Sequence, residues 1–589
     1  MKLLSRPAFH LFLVAIVGLL AYANSFTVPF FLDDQGSIVE NALIQDLHRF
    51  LSGAGYAYNP RRFVGYLTVA LNYHFGGMDV TGYHVFNLAV HLASAWLVYG
   101  LVLLTLRTPF FTEHPEAPLE PELPRFIPLC AALLFVSHPI QTQAVTYIIQ
   151  RFASLVTLFF VLSFYCYGKA RVLQQREGNL GKALMLYAGA VVAAGCAMKT
   201  KETAFTLPFV ILIYEFLFFR MSALKKLILL APVVLGSLVV PLSILGTGRP
   251  IGQLLSDLDA AARVTPALPR LDYLFTQFTV IARYLRLLVL PVGQNLDYDF
   301  PIQHSLAAPS VLLSLALLLA LLAFALFLLR RSAQGEPLLR LASFGILWFF
   351  VTLSVESSII PIPDVIFEHR VYLASVGAFA ALAVFAFLLL KRYPARVRAL
   401  ALGVVVVVLT AATFARNQVW QSGISLWSDV VQKSPQKGRP HYNLARFLAQ
   451  ENRSDEALAH ALQAVRYEPS NPLAYNLIGQ IMGKNRNYVQ AAAALDEAIR
   501  LDPGFASAHM NLGDVYRLTG LTRKALDEYE IALRLTPGDA SIFYKMGLAL
   551  ANANDMEKAV VFLRSAAQMA PAVPLYRAEL QRMEQMLHR

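Results

Sequence analysis

The residues with chemistry to offer sit at the ends of apolar runs. Asp33 and Asp34 form a pair directly after the first run, and Arg61 and Arg62 follow in the same connecting stretch. His84 and His91 stand seven residues apart, which places them on one face of a helix. His138-Pro139 opens a segment that continues to Gln141, Gln143 and Arg151. Lys199-Thr200-Lys201-Glu202, Gln294 to Asp299, Glu356-Ser357-Ser358 and Glu368-His369-Arg370 complete the set. A carboxylate can take a proton from an acceptor hydroxyl. Basic side chains can hold a leaving phosphate and stabilise the charge that develops on it, and the planar fork of arginine suits that task. The set therefore reads as group transfer from a lipid-phosphate donor whose head group lies at a membrane surface. The sequence holds no HExxH, no Walker loop and no GxSxG. The apolar runs are almost free of ionisable residues at mid-span, which argues against a proton-driven transporter.

Each of these residues also has a plainer reading. Asp33-Asp34 could cap a helix starting near Ser37. His84 and His91 could face a helix bundle with local hydrogen-bond partners, and His138-Pro139 could be only a turn signal. Lys201 and Glu202 could pair with one another, and Glu368-His369-Arg370 could form a satisfied interfacial network. A divalent cation is possible with Asp33, Asp34 and a histidine, but the spacing is not diagnostic and no metal is predicted. Cys130, Cys166 and Cys196 lie in apolar runs without paired-ligand spacing and read as packing residues.

The elements that must position these groups follow from composition. The chain has 589 residues, of which 57% are hydrophobic and 15% charged, against about 25% charged in soluble domains. Mean hydropathy is +0.52. These values exclude an ordinary soluble enzyme, a disordered chain and a disulfide scaffold. Hydropathy divides the chain near residue 416. Before it lie eleven candidate spans, at about 8–27, 83–106, 126–138, 152–168, 183–199, 203–219, 227–245, 306–329, 341–359, 371–390 and 399–415. The stretch 271–292 carries Arg283 and Arg286 and is expected to lie along the membrane interface. With the N-terminus in the cytoplasm, the alternate loops that fall on the cytoplasmic side hold the basic clusters from Lys2 and Arg6 to Arg396 and Arg398. The net charge of +12 is thus partly a topology signal, and no nucleic-acid partner is predicted. The polar residues above fall on the opposite side, as does the C-terminal part. The loop of Gly246–Pro250 and 251–270, with Asp257, Asp259, Pro266 and Pro269, lies on that side too and is a candidate cover for a donor site.

Beyond residue 416 the pattern changes. Prolines recur at 435, 469, 503, 537 and 571, always 34 residues apart, the period of tetratricopeptide (TPR) repeats. Ala445, Gly479, Gly513 and Gly547 keep the same phase, as do Ala457, Ala491, Ala525 and Ala559. The expected organisation is a membrane domain over 1–416, a degenerate half-repeat over 417–437, four repeats over 438–573 and a capping helix over 574–589. Trp420 and Trp427 are expected to seal the join. The fold class is all-α: a polytopic membrane domain followed by an α-solenoid, whose concave surface is a candidate groove for a peptide or protein.

At the level of motifs, Asp33-Asp34, GYHVFNLAVHL (82–92), HPIQTQAVTYIIQR (138–151), KTKETAFTLPFVILIYE (199–215), LPVGQNLDYD (290–299) and ESSIIPIPDVIFEHRVYLASVG (356–377) resemble the GT-C class of membrane glycosyltransferases. Combined with the repeats, they resemble bacterial relatives of the transmembrane-and-TPR O-mannosyltransferases over essentially the whole chain. The resemblance implies transfer of a sugar, such as mannose, from a polyprenyl-phosphate carrier to Ser or Thr of an extracytoplasmic protein. It implies Asp33 as the base, Asp34 as its support, and inversion at the anomeric carbon. By position, Arg370, Lys201 and Arg62 would hold the donor phosphate. His84, His91, His138, Glu202, Glu356, Glu368 and His369 would line the donor or acceptor pocket, and the repeats would bind the acceptor. No cofactor is implied beyond the lipid-linked sugar. The start of the chain, with Lys2, Arg6 and Ala21-Tyr22-Ala23, also resembles a signal peptide. The first span is expected to be retained, because in this class the acidic pair is held next to it. The location implied is an inner membrane with periplasmic repeats, or an ER membrane with lumenal repeats in a eukaryote. Two other readings stay open: a non-enzymatic membrane scaffold, and a transferase acting on lipid or polysaccharide.

Overall fold

The computed structural model describes residues 6–112, 123–176, 179–219, 231, 235, 268–362 and 364–587. The described residues contain helices and no strand. They form two compact units, Met1–Ser422 and Gly423–Arg589.

The first unit is built from twelve principal described helices: α1 (Pro7–Tyr22), α2 (Phe63–Gly76), α3 (Val80–Thr105), α4 (Leu123–Ser137), α5 (Arg151–Arg176), α6 (Leu180–Met198), α7 (Leu207–Phe218), α8 (Arg270–Val289), α9 (Pro309–Ser332), α10 (Leu338–Leu353), α11 (Val371–Leu390) and α12 (Ala395–Val419). Six helical stretches, Val80–Thr105, Ile148–Gln175, Leu180–Met198, Pro309–Ser332, Glu368–Leu390 and Ala395–Val419, are long and apolar enough to cross a membrane. Pro7–Tyr22, Arg125–Ser137 and Leu338–Leu353 are shorter apolar helices. The expected span at 203–219 begins as a 3-10 turn, Glu202–Thr206, and α7 has only 12 residues. The expected span at 227–245 lies outside the described residues except for 231 and 235, and the outer loop up to residue 267 lies outside them too. Helix α8, expected at the interface, is amphipathic: Tyr273, Gln277, Val280, Tyr284 and Leu287 are buried, while Leu271 and Val289 are exposed.

Helices α3, α4, α5 and α11 pack around one core with α1 and α12 against it. Small residues set the closest crossing. Where α10 meets α11, a Cβ on Gly345 or on Gly377 would run into the carbonyl oxygen of the other. Such approach is how apolar helices gain packing where lipid supplies no hydrophobic contrast. Trp348 then donates its indole N–H to the Leu373 carbonyl at 2.9 Å. At the opposite end of the bundle from the acidic pair, Arg171 and Glu215 form a fully buried ion pair at 2.6 Å.

The second unit follows the 34-residue period. After α13 (Gly423–Lys433) come four helix pairs: α14 (Gly438–Gln450) with α15 (Ser454–Tyr467), α16 (Pro472–Lys484) with α17 (Tyr488–Leu501), α18 (Ala506–Leu518) with α19 (Thr522–Leu535), and α20 (Ala540–Asn552) with α21 (Met556–Met569). Helix α22 (Pro574–Leu587) packs on α21. The in-phase glycines sit where partner helices meet: a Cβ on Gly479 would lie 2.5 Å from Leu495, and one on Gly513 2.5 Å from Tyr529. Residues 417–419 end α12 instead of opening the leading half-repeat.

Candidate active site

The acidic pair is held by a strained turn. Leu32 has φ +46°, a left-handed conformation that costs a branched residue roughly 1–2 kcal/mol. Beyond it the two acids part. Asp34 is 1% exposed. Its Oδ2 accepts the Phe31 N–H at 2.9 Å and its Oδ1 the Ile149 N–H at 2.8 Å. Asp33 is exposed, while its backbone N–H donates to the Tyr147 hydroxyl at 2.8 Å. Burial pushes the Asp34 carboxyl up to about 7, against the pull of those two N–H groups, and the neighbouring Asp33 charge adds to the rise. Burial, with Asp34 and Asp33 beside it, holds the Tyr147 phenol well above its ordinary range, so it stays protonated and can donate to the Asp33 carboxylate.

Distant segments fix this turn. Trp420 packs on Tyr147 (ring centroids 5.8 Å apart) and on Phe31 (6.3 Å). Asn417 donates to the Ala21 carbonyl at 3.1 Å and accepts from the Thr146 hydroxyl at 2.6 Å. Trp420, expected at the join to the repeats, is therefore built into the wall behind the acidic pair; Trp427 is buried in the second unit. Arg151 is fully buried and ties α2 to α3, donating to Asn72 Oδ1 at 2.5 Å and to the Tyr83 carbonyl at 3.2 Å.

The cationic residues converge in a second cluster. Lys201 pairs with Glu356 at 2.6 Å, and Arg62 pairs with Glu202 at 3.3 Å. Lys201 and Glu202 thus serve separate partners instead of each other. Burial works to raise the Glu202 carboxyl, but the Arg62 charge and hydrogen bonds prevail and hold it below its ordinary range. Arg370 is buried and donates to the carbonyls of Val365 (3.2 Å) and Asp364 (2.6 Å). The His369 ring lies within electrostatic reach of Lys201, Arg370 and Arg62. Its backbone N–H donates to Gln143 Oε1 at 2.8 Å, and its Nδ1 is buried with no hydrogen-bond partner. Gln143 Nε2 and Thr203 Oγ1 are orphaned in the same way. Three cations, two carboxylates and polar atoms without hydrogen-bond partners so share one region, an arrangement able to take an anionic group.

The remaining predicted residues hold loops. Glu368 accepts from the Asn295 N–H (2.7 Å), the Tyr298 hydroxyl (2.6 Å) and Gln294 Nε2 (2.6 Å), which fastens the 294–298 segment. His84 donates Nε2–H to the Val28 carbonyl at 2.8 Å, on the strand of chain leading to Asp33. His91 is engaged on both nitrogens, by the Val136 carbonyl (3.2 Å) and the Tyr372 hydroxyl (2.6 Å). His138 accepts the Ile140 N–H through Nδ1 at 3.2 Å, and burial takes it down to about 4, so it is neutral. Among the described residues no three His, Cys, Asp or Glu side chains converge as metal ligands. Tyr147, Asn417 and Trp420 were invisible as site residues in the sequence. Tyr147 lies inside the 138–151 motif, but nothing in its spacing marks it.

The tetratricopeptide repeat family matches residues 476–540 and 519–574. A Homo sapiens protein named protein O-mannosyl-transferase TMTC4 is 25% identical over 507 residues, 77% of this chain and 66% of that protein. Homo sapiens protein O-mannosyl-transferase TMTC1 is 26% identical over 534 residues, 81% of this chain and 57% of that protein. Homo sapiens protein O-mannosyl-transferase TMTC2 is 28% identical over 229 residues, 36% of this chain and 24% of that protein. The chain thus spans between a quarter and two thirds of the length of these curated relatives. Among solved structures, a MamA fragment from Desulfovibrio magneticus RS-1 is 22% identical, covers 26% of this chain and 85% of that one, and has a TM-score of 0.24. Over 77–81% of its length the chain is thus similar to proteins named protein O-mannosyl-transferases, and its second unit carries tetratricopeptide repeats.

Proposed function

We propose that this protein is an integral-membrane glycosyltransferase of the GT-C type that moves a hexose, such as mannose, from a polyprenyl-phosphate carrier to Ser or Thr of extracytoplasmic proteins. The observation that carries the reading is the division of labour in the acidic pair: Asp34 is buried and spent on two backbone N–H groups, while Asp33 is exposed on a pinned backbone. Asp33 takes the proton of the acceptor hydroxyl. The oxygen attacks the anomeric carbon, and the bond from that carbon to the phosphate oxygen breaks with its electron pair leaving on the lipid phosphate. Lys201, Arg62 and Arg370 neutralise the charge gained by that phosphate. A single displacement through an oxocarbenium-like transition state inverts the anomeric centre. No cofactor is invoked. The repeats bind the acceptor protein, and the location is an inner membrane with periplasmic repeats, or an ER membrane with lumenal repeats.

Intact-mass glycoproteomics of envelope proteins tests this, comparing wild type, Asp33→Asn at matched membrane level, and a deletion. A hexose mass on Ser or Thr should vanish in the deletion and fall about 10²–10⁴-fold with Asp33→Asn, the usual worth of a general base. Unchanged protein masses in both strains would remove the protein acceptor and favour a lipid or polysaccharide. Loss in the deletion alone would favour a scaffold.

A further inference from the structure

An apolar groove of about 290 Å³ runs between α4, α11 and α12. Phe379, Leu390 and Leu402 line its length, and His138, Leu288 and Val289 stand at one end. That end lies where α8 finishes and the chain turns through Pro291. Val289, Leu290 and Val292 are 75%, 56% and 60% exposed there, an apolar tip that water would not favour. Arg283, Arg286 and Val289 follow each other at three-residue spacing, so they form one stripe of α8 that leads into the groove.

Among the described residues neither arginine forms an ion pair with a carboxylate. Arg286 Nη2 donates to the Val292 carbonyl at 2.6 Å and Arg283 Nη2 to the Gly293 carbonyl at 3.3 Å. Both Nε atoms are buried with no hydrogen-bond partner, and the guanidiniums are close enough to repel each other. Glu368 lies within electrostatic reach of Arg286, but its oxygens accept from three neutral donors and from neither arginine. A paired cation beside an apolar groove between apolar helices describes the complement of one kind of molecule. The phosphate of an amphiphile would meet both guanidiniums, whose planar forks suit phosphate, and its chain would fill the groove. We infer that Arg283 and Arg286, with the α4–α11–α12 groove, form a site for a bilayer glycerophospholipid, separate from the cluster of Lys201, Arg62 and Arg370.

Native mass spectrometry of the full-length protein, delipidated in detergent and titrated with dioleoyl phosphatidylglycerol, tests the site. Wild type should keep one phospholipid adduct at collision energies that strip the rest. The double variant Arg283→Gln/Arg286→Gln should lose that adduct at least tenfold, and Ala386→Phe, which fills the groove, should do the same with both arginines intact. The charge-keeping pair Arg283→Lys/Arg286→Lys should retain most of it, which separates lost charge from lost fold. Arg330→Gln/Arg331→Gln, at the far end of α9, should behave as wild type. Equal retention by the glutamine pair or by Ala386→Phe overturns the site. So does retention of a polyprenyl phosphate offered in the same titration with none of the phosphatidylglycerol, because the groove would then belong to the donor.

Discussion

At the scale of the residue, the acidic pair shows how one turn gives two like side chains different work. Leu32 in its left-handed conformation sends Asp34 inward and leaves Asp33 at the surface. Tyr147 reads as the positioning residue, since its hydroxyl takes the Asp33 N–H. Tyr147→Phe should lower the turnover number about fivefold, the worth of one hydrogen bond of roughly 1 kcal/mol. KM should hold, so that the loss falls on the turnover number alone, and an unchanged turnover number would overturn the role. A purely structural tyrosine would instead lower the melting temperature without this split between turnover number and KM. Asp34 makes a separate pH prediction. Its folded value of about 7 lies above its ordinary 3.8. Its contribution to stability is therefore fully present below about 3.8 and lost as pH rises through about 7, a swing on the order of 4 kcal/mol at most. Thermal unfolding of Asp34→Asn should lack that slope between those pH values; an identical slope in both proteins would refute the assignment.

At the scale of the element, glycine governs contact in both units through the same physics. Gly479 and Gly513 let repeat helices close on Leu495 and Tyr529, and Gly345 with Gly377 lets α10 close on α11. The backbone at Gly345 and Gly377 offers no flexible side chain that could give way. Gly377→Leu should cost about 3 kcal/mol or more, above the usual range for overpacking, and lower the melting temperature of the purified protein in detergent. A leucine at Gly403, which has open space around its Cβ position, is the matched control and should change little.

At the scale of the whole molecule, the spread of charge predicts orientation. Arg330, Arg331, Lys391 and Arg392 should face the cytoplasm, and the repeats should face away from it. In a cysteine-free background, single cysteines at Gln334 and at Gly504 report this. An impermeant maleimide should label position 504 in intact cells and position 334 only after permeabilisation. The reverse pattern would invert the topology and with it the proposed compartment.

The sequence by itself determined what repeats and what is apolar. The 34-residue period located every repeat helix pair because a solenoid is stabilised by neighbours in sequence, so its contacts leave a local pattern. Apolar length located most membrane helices for the same local reason. It also marked Asp33, Lys201, Glu202 and Arg370, since ionisable residues at span ends stand out against apolar runs. Only the tertiary structure decided their partners. Lys201 found Glu356, Glu202 found Arg62, and Asp34 found the Ile149 N–H, over separations of about 115 to 155 residues. Asn417 and Trp420 reach Ala21 and Phe31, on the chain leading to the acidic pair, from almost 400 residues away. A hydrogen bond leaves no periodicity in sequence when its two groups meet through packing alone.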